Sequence, residues 1–571
     1  MIYIKQLTIQ NFKSIENETI EFKKGLNVLV GPNNAGKTNI MEAIEFLLGD
    51  VYLPNFEPTT DHFFYGKEDR EIIIEATLEG DGLSEIDREF NSSIDIRFRY
   101  SKQNGGSFEV KINDQWKQKY NKSFGYYWDF EKKIFFLRVK SLRNIMEIAP
   151  IRWKSPLKYF KELIIKKSGS QLGNILSKID EVKEEFCKID FVRKIISDLL
   201  KISKGQTDIK NIEISPASTK KSDILNEMKI LIDDGYLSEV TKKGLGTQNL
   251  IIISLFRIMA EYMRDEEKKF IIYGIDEPEI GLHPHGQRQL INSLKELSEV
   301  SQVIITTHSE HLIDLTQIDN VIRIVKENNA TKQYKINLTA DEKKILEIHG
   351  RNLEEIFFAK QVLIVEGDTE EGFFPEASKK VIEKKENEEI EENYSFDYNS
   401  VSVINGKGNN IWFFIRLLKS LNIPFVVLID EDKLNDKNSF LKKIEENNLI
   451  EKEEIKKLKD INNKEELKSV LKKYNIFILL PFEKIISENS KKETLRKIVK
   501  AINFVKEQWG NEIESNYFET DNVKKEDVFE LLKRNKGWRI GKAVAQELNY
   551  DELPKDYVEI IKRVSKLWLG Q

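Results

Sequence analysis

Apolar and polar residues alternate along IYIKQLTIQNF, while the following LNVLVG is apolar at nearly every position. Period two predicts a strand with one wet face for the first and a buried strand for the second. TNIMEAIEFLLG sets its apolar residues at helical spacing and predicts an amphipathic helix. EIIIEATLEG, SIDIRFRY, FEVKIN and KIFFLRV alternate again, as half-buried strands do. Across residues 155–235 the texture changes: LKYFKELIIKK, LGNILSKIDEVKEEF, FVRKIISDLLKI and KSDILNEMKILIDD carry the 3.6-residue period, with Ser and Gly at the breaks. Short buried strands return in FIIYGID and VIITTHS.

A second alternating unit begins near Leu353, with strands QVLIVEG, SVSVING, PFVVLID and NIFILLP and helices between them. Lys/Glu-rich segments at 379–392 and 433–473 read as solvated helix surface, because mixed-sign runs pair along a helix and face water. The expected organisation is an α/β unit formed by residues 1–154 and 236–350 and interrupted by a helical insertion at 155–235. A second α/β unit with a parallel sheet follows at 351–571, with a charged helical insertion near 433–473. No repeat of fixed period is present.

Composition narrows the chemistry. Lys+Arg 90 against Asp+Glu 95 leaves a net charge of −5, so any polyanion site must be a local patch. Cys187 is the only cysteine, which excludes a disulfide framework and multi-cysteine zinc sites. The N-terminal MIYIKQLTIQNF has no basic segment leading into an apolar core, and no run approaches the roughly 20 apolar residues of a membrane span. A cytoplasmic protein without membrane attachment is expected.

The most specific signal is LNVLVGPNNAGKTNIMEAI. Gly31, Pro32, Asn33, Asn34, Ala35, Gly36, Lys37 and Thr38 satisfy G-x-x-x-x-G-K-[ST], with a strand before and a helix, opening at Asn39, behind. Glycines let backbone N–H groups approach phosphate oxygens, and the helix N-terminus adds a favourable dipole. Lys37 is expected on the terminal phosphates of ATP and Thr38 on Mg²⁺. FIIYGIDEPEIGLHP supplies the partner motif: Asp276 is expected to hold Mg²⁺ through water, and Glu277 to orient or deprotonate the attacking water. His308, past the next apolar strand, is placed to sense a γ-phosphate. His283 and His285 flank Pro284 without a third ligand and read as loop.

The order GPNNAGKT, KKGLGTQ, IDEPEIGLHP, TTHS resembles the ABC-type ATPases of the SMC and RecF kind. The resemblance implies two heads sandwiching ATP, with a glycine-rich signature of one head touching nucleotide on the other. Gly244, Gly246 and Gln248 stand where that signature belongs, and Lys242 and Lys243 occupy the region where a signature serine is usual.

The second half carries FFAKQVLIVEGDTEEGFFP, VSVINGKGNN and PFVVLIDED, which resembles a Toprim domain, with its glutamate after one strand and Asp-x-Asp after another. Glu366 follows QVLIV, and Asp430 and Asp432 close FVVLI. In an extended segment residues i and i+2 share a side, so these two aspartates are expected to chelate one cation. An all-oxygen set selects Mg²⁺ or Mn²⁺. Glu370 would add a ligand for a second metal, and Glu483, after NIFILLP, is a further candidate; two metals suit phosphodiester cleavage. KRNKGWRIGKAVAQEL concentrates five cations between Lys533 and Lys542 around Trp538, a pattern suited to a phosphate backbone with a ring for stacking. Lys542, with Lys536 as alternative, is the expected lysine on the cleaved phosphate.

An ATPase head followed directly by Toprim resembles the OLD (overcoming lysogenization defect) family of ATP-dependent endonucleases, and the size resembles the nuclease subunit of the Gabija antiphage system. This implies a homo-oligomer, dimeric or tetrameric, whose dimerisation module is the insertion at 155–235, that nicks or cuts DNA with a divalent metal, and allows a helicase-like or other defence-system partner. Two rival readings are a RecF/SMC-like DNA clamp with a non-catalytic Toprim unit and a topoisomerase or primase. No tyrosine is marked as a nucleophile, and one cysteine cannot build a primase zinc module.

Overall fold

The computed structural model describes residues 1–49, 57–86, 92–118, 133–140, 167, 189–203, 209–216, 228–336, 338–349, 353–384, 391–508 and 523–567. The chain forms two compact units, Met1–Gln333 and Tyr334–Gln571.

In the first unit, strands β1 (Tyr3–Phe12), β2 (Ile15–Glu21), β4 (Ile72–Glu79), β5 (Ser93–Ser101), β6 (Gly105–Ile112) and β7 (Gln115–Gln118) make an antiparallel sheet in the order β2-β1-β4-β5-β6-β7. The period-two signal of β4 appears as strict alternation of buried and half-buried residues. A second sheet runs β15-β14-β3-β13-β12-β8, from β3 (Leu26–Val30), β8 (Ile134–Val139), β12 (Phe270–Asp276), β13 (Gln302–Thr306), β14 (Val321–Glu327) and β15 (Ala330–Lys335). Its β14-β3-β13-β12-β8 pairings are parallel, and β3, β12 and β13 are buried at every residue. Helix α1 (Lys37–Leu48) shares one core with both sheets, its Met41 and Ile44 joining Ile9 and Ile74 of one and Leu29 and Ile304 of the other.

The region expected to be a helical insertion departs from that reading. Among its described residues it gives helix α2 (Asp190–Ser203) but also β9 (Asn211–Pro216) and β10 (Met228–Asp233), which pair with β11 (Leu237–Glu239). MKILID is the cause: its isoleucines sit two apart, and Ile230 and Ile232 bury against Ile212, Ile214 and α2. Much of 155–235 lies outside the described residues. Helix α3 (Leu245–Glu267) packs Ile251 and Leu255 into the same core, and α4 (Pro284–Ser298) connects β12 to β13.

The second unit is built on a four-stranded, all-parallel sheet in the order β19-β16-β20-β21: β16 (Gln361–Val365), β19 (Val401–Asn405), β20 (Phe425–Asp430) and β21 (Ile476–Leu479). Helix α5 (Asp368–Ser378) follows β16, and α6 (Ile411–Ser420) links β19 to β20. The charged stretch after β20 forms three helices, α7 (Lys437–Glu446), α8 (Lys452–Asp460) and α9 (Lys464–Lys473). The other charged stretch is a correction: instead of a helix it gives the hairpin strands β17 (Ile382–Lys384) and β18 (Glu391–Asn393), because buried Val381 and Tyr394 pin its two ends together.

Five helices complete this unit: α10 (Phe482–Asn489), α11 (Lys492–Gln508), α12 (Lys525–Arg534), α13 (Trp538–Glu547) and α14 (Lys555–Lys566). They belong to the core of the sheet itself, where Leu363 and Val426 meet Phe373, Ile498, Val544 and Ile561. Two glycines let α5 and α13 touch. A Cβ on Gly372 would lie 1.9 Å from the Trp538 carbonyl oxygen, and one on Gly541 would lie 1.8 Å from that of Thr369.

Candidate functional sites, one in each unit

In the first unit the phosphate-binding loop joins β3 to α1. Gly31 and Gly36 have positive φ, and the space for a Cβ is filled at both, by the Ile324 carbonyl oxygen at 2.0 Å and by Thr331 Oγ1 at 2.1 Å. Thr331 Oγ1 donates to the Ala35 carbonyl (2.9 Å), and Asn39 Nδ2 donates to Ser14 Oγ (2.6 Å), so neighbouring turns brace the loop. Asn33, Asn34 and Thr38 are exposed at its mouth. Lys37 is buried and donates to the carbonyls of Gly31 (2.8 Å) and Pro32 (3.0 Å); burial brings its ammonium pKa down to about 8 against the opposing pull of Glu277 and Glu279.

Asp276 ends β12, where its Oδ1 accepts from Thr306 Oγ1 (3.1 Å) and its Oδ2 from Arg138 Nε (2.8 Å). Glu277 follows in the left-handed region at φ 45°, fixed by its N–H to the Thr306 carbonyl at 2.9 Å. Its Oε1 lies 3.6 Å from Nε2 of His308, whose pKa is lowered by burial and by Lys37. The residues expected to serve the γ-phosphate end of ATP therefore stand together around Lys37. Glu279 joins them unforeseen. It is buried, and its Oε1 accepts from Thr307 Oγ1 (2.7 Å) and His308 N–H (2.8 Å), while Oε2 has no hydrogen-bond partner. The sequence signal was available: a second acid two residues after Glu277, bracketing a proline. Arg138 was also missed, although a lone cation inside the apolar run FFLRV marks a buried partner.

Gly244 caps α3 and Gly246 lies in its first turn. Gln248 Nε2 donates to the carbonyls of Lys243 (2.7 Å) and Thr241 (3.2 Å), and Asn249 Nδ2 reaches the Pro278 carbonyl (3.3 Å), tying this helix start to the Asp276 loop. His283 caps α4 by accepting from Gly286 N–H, and His285 contacts Arg288, which suits the loop reading.

In the second unit the acids gather at the C-terminal ends of parallel strands, the position where open α/β sheets form their crevice. Glu366 follows β16, and its Oε2 accepts from the Asp430 N–H at 3.0 Å, joining the two strand ends. Asp432 is not extended as the i, i+2 argument required. It lies in a 3₁₀ turn, Glu431–Asp436, capped by Asp430. The strand ends at Asp430, so the alternation of its side chains stops there, yet the charge of Asp432 still acts on Asp430. Glu370, in the first turn of α5, and Glu483, in the first turn of α10, are both buried.

The crowding is visible in the acidities. Burial, then the charges of Asp430 and Glu483, raises Glu370 to about 8; burial, then Glu366, Asp432 and Glu483, raises Asp430 to about 7. Two lysines meet the rim: Lys433 Nζ is 2.8 Å from Glu366, and Lys536 Nζ is 2.7 Å from Glu483. Lys542 is placed elsewhere, 3.7 Å from Glu376 and over the Trp538 ring. Of the two lysines named from the basic cluster, it is Lys536 that reaches the acids, because it precedes the tight α5–α13 crossing. Among the described residues no group of three or more His, Cys, Asp or Glu stands ready-made as a metal cage. The donor set is nevertheless all oxygen and mutually repelling, the kind of cluster whose repulsion a hard cation would relieve.

Comparison with known proteins matches a domain in each unit. A family model described as an AAA ATPase domain (AAA_15) matches residues 2–148 and 151–313, and one described as the overcoming lysogenization defect protein-like TOPRIM domain matches residues 357–432. The Old nuclease of Escherichia phage P2 is 25% identical over 488 residues, covering 76% of this chain and 78% of that protein. Endonuclease GajA of Bacillus cereus (strain VD045) is 24% identical over 451 residues (75% and 74%), and the OLD nuclease of Thermus scotoductus 25% over 460 residues (75% and 82%). The chain therefore belongs to the AAA ATPase domain family and carries an OLD-like TOPRIM domain behind that ATPase.

Proposed function

We propose that this protein is a DNA endonuclease whose cutting is governed by ATP at its ATPase unit, acting in antiphage defence as a cytoplasmic homo-oligomer, dimeric or tetrameric. The observation that carries the reading is the meeting of Glu366, Glu370, Asp430, Asp432 and Glu483 at one end of a parallel sheet, with Lys536 at their edge. Those acids would hold Mg²⁺ or Mn²⁺, which when bound polarises the scissile phosphate and the attacking water. Lys536 would neutralise charge on the cleaved phosphate, and Lys542 would lie on the flanking backbone. The names of the relatives, two OLD nucleases and an endonuclease, support the class of reaction.

In the first unit, Gly31 to Asn39 would cradle the phosphates of ATP, Thr38 and Asp276 would hold Mg²⁺, Glu277 would orient water and His308 would face the γ-phosphate. Gly244, Gly246 and Gln248 would meet nucleotide on a second copy of the chain. A helicase-like or other defence-system subunit is the expected partner class. No helix of the described residues is long and apolar enough to cross a membrane.

Cleavage of supercoiled plasmid with Mg²⁺ or Mn²⁺ tests this. Activity that survives Glu366→Ala combined with Asp430→Ala removes the site. Loss of cutting in Lys37→Ala identifies ATP as activator, whereas cutting that becomes indifferent to ATP identifies it as brake. The lysines on Glu366 and Glu483 favour one second reading, a DNA-binding clamp whose Toprim unit only docks; DNA binding without metal-dependent cleavage would establish it.

A further inference from the structure

A cleft of about 910 Å³ opens in the second unit, lined in part by Lys536, which pairs with Glu483 of the acid cluster; its volume lies within the range of roughly 300–1,000 Å³ typical of ligand pockets. Its lining carries five cations, Lys407, Lys506, Arg534, Lys536 and Arg539, against two acids, Asp368 and Glu371. Trp538 lines the same cleft and is 46% exposed, the one tryptophan in the exposed apolar class among the described residues. A large ring left in water inside a polar, cationic cleft is not accounted for by packing.

The backbone that carries the ring is anchored. The Gly537 N–H donates to Thr369 Oγ1 (3.0 Å), and the Trp538 backbone rests against Gly372 of α5, the helix that carries Glu370. Lys542 Nζ sits over the ring at 5.0 Å. An exposed indole on an anchored backbone, flanked by cationic side chains, is the arrangement that takes an aromatic base. In a duplex both faces of each base are covered by neighbours, so only an unpaired or flipped base can lie on such a ring.

Resting on the endonuclease reading, we propose that Trp538 is a stacking platform for an unpaired DNA base next to the scissile phosphate. The substrate strand is then single-stranded or locally opened where it enters the acid site. The cleft cations track its backbone, and the ring, indifferent to base identity, sets the position of the strand rather than its sequence.

The test is equilibrium binding of the full-length protein, in EDTA to block cleavage, to three labelled DNAs: a 12-nucleotide single strand, the same strand with abasic sugars, and a paired duplex. Trp538→Ala is expected to weaken single-strand binding roughly five- to a hundred-fold, leaving abasic and duplex binding unchanged. Trp538→Phe should keep most of the affinity. In the wild type, 2-aminopurine fluorescence in the strand should be quenched on binding, a readout independent of any variant's folding. Wild-type-like affinity in Trp538→Ala, an equal loss on the abasic strand, or unquenched 2-aminopurine overturns the platform alone. A wild-type protein that binds none of the three DNAs overturns the endonuclease reading with it.

Discussion

Arg138 and Asp276 form a two-pronged ion pair: Nε donates to Oδ2 at 2.8 Å, and Nη2 lies 2.8 Å from the same oxygen. Arg138 faces Gly274 across the β8–β12 pairing, and its Nη1 also reaches Glu45 of α1 at 2.9 Å. One side chain thus connects the acid of β12 to the helix behind the phosphate-binding loop. Burial raises the Asp276 pKa, and the guanidinium restrains that rise.

Arg138→Met should therefore cost about 3–5 kcal/mol of stability, the usual penalty for stranding one member of a buried pair. It should also move ATP turnover toward higher pH, because Asp276 then ionises later. Urea unfolding and a pH–rate profile check both; an unmoved profile would show that Arg138 does not tune Asp276.

Glu279 orients the His308 segment through two hydrogen bonds at 2.7 and 2.8 Å. Glu279→Gln keeps a carbonyl acceptor in place and should hold ATP turnover within a few-fold. Glu279→Ala should lower it by up to about 100-fold, the scale on which small misplacements act. Steady-state hydrolysis of the two variants distinguishes positioning from a purely structural role, under which both would fall alike.

Metal-free protein should lose stability as pH rises. Glu370, with a folded pKa of about 8 against an ordinary 4.5, and Asp430, about 7 against 3.8, bind protons in the folded state that the unfolded chain has already released. Their contribution is thus favourable below those ordinary values and eroded through pH 7–8. Thermal melts in EDTA at pH 5.5 and 8 should show the decline, Glu370→Gln should flatten it, and Mg²⁺ should restore stability at the alkaline end. A slope unchanged by Glu370→Gln would place its carboxyl outside the crowded cluster.

Gly372→Ala or Gly541→Ala forces α5 and α13 apart, since each methyl would overlap a carbonyl oxygen. A cost of about 1–3 kcal/mol is expected, with DNA cleavage lost and ATP hydrolysis retained. Parallel assays of the two activities check it, and equal loss of both would refute a local effect.

How far the sequence could be read depended on where each signal lies. Strand ends were legible: Asp276, Glu366 and Asp430 each close a short apolar run, and the structure puts all three at the C-terminal ends of parallel strands. Glu277, Lys37 and His308 were legible through motif order. The geometry of Asp432 was not, because period two says nothing about where a strand yields to a turn. Nor was the choice between Lys536 and Lys542, which turns on a helix crossing set by Gly372 and Gly541, far apart in sequence. Arg138, Glu279 and Lys433 act through partners on other segments, which a linear pattern does not register. The 155–235 stretch misled because short Ile-containing strands next to helices keep apolar spacings that a helical reading can absorb.

The last helix of the second unit closes on the first strand of its sheet, where Gln361 donates to the Ser565 carbonyl at 3.0 Å. Glu483 and Lys536 likewise arrive from segments made long after Glu366. During synthesis, then, the ribosome releases the acid-bearing strands well before the pieces that wrap and complete them. A chain halted between them carries Glu366 and Asp430 before Lys536 is there to meet Glu483.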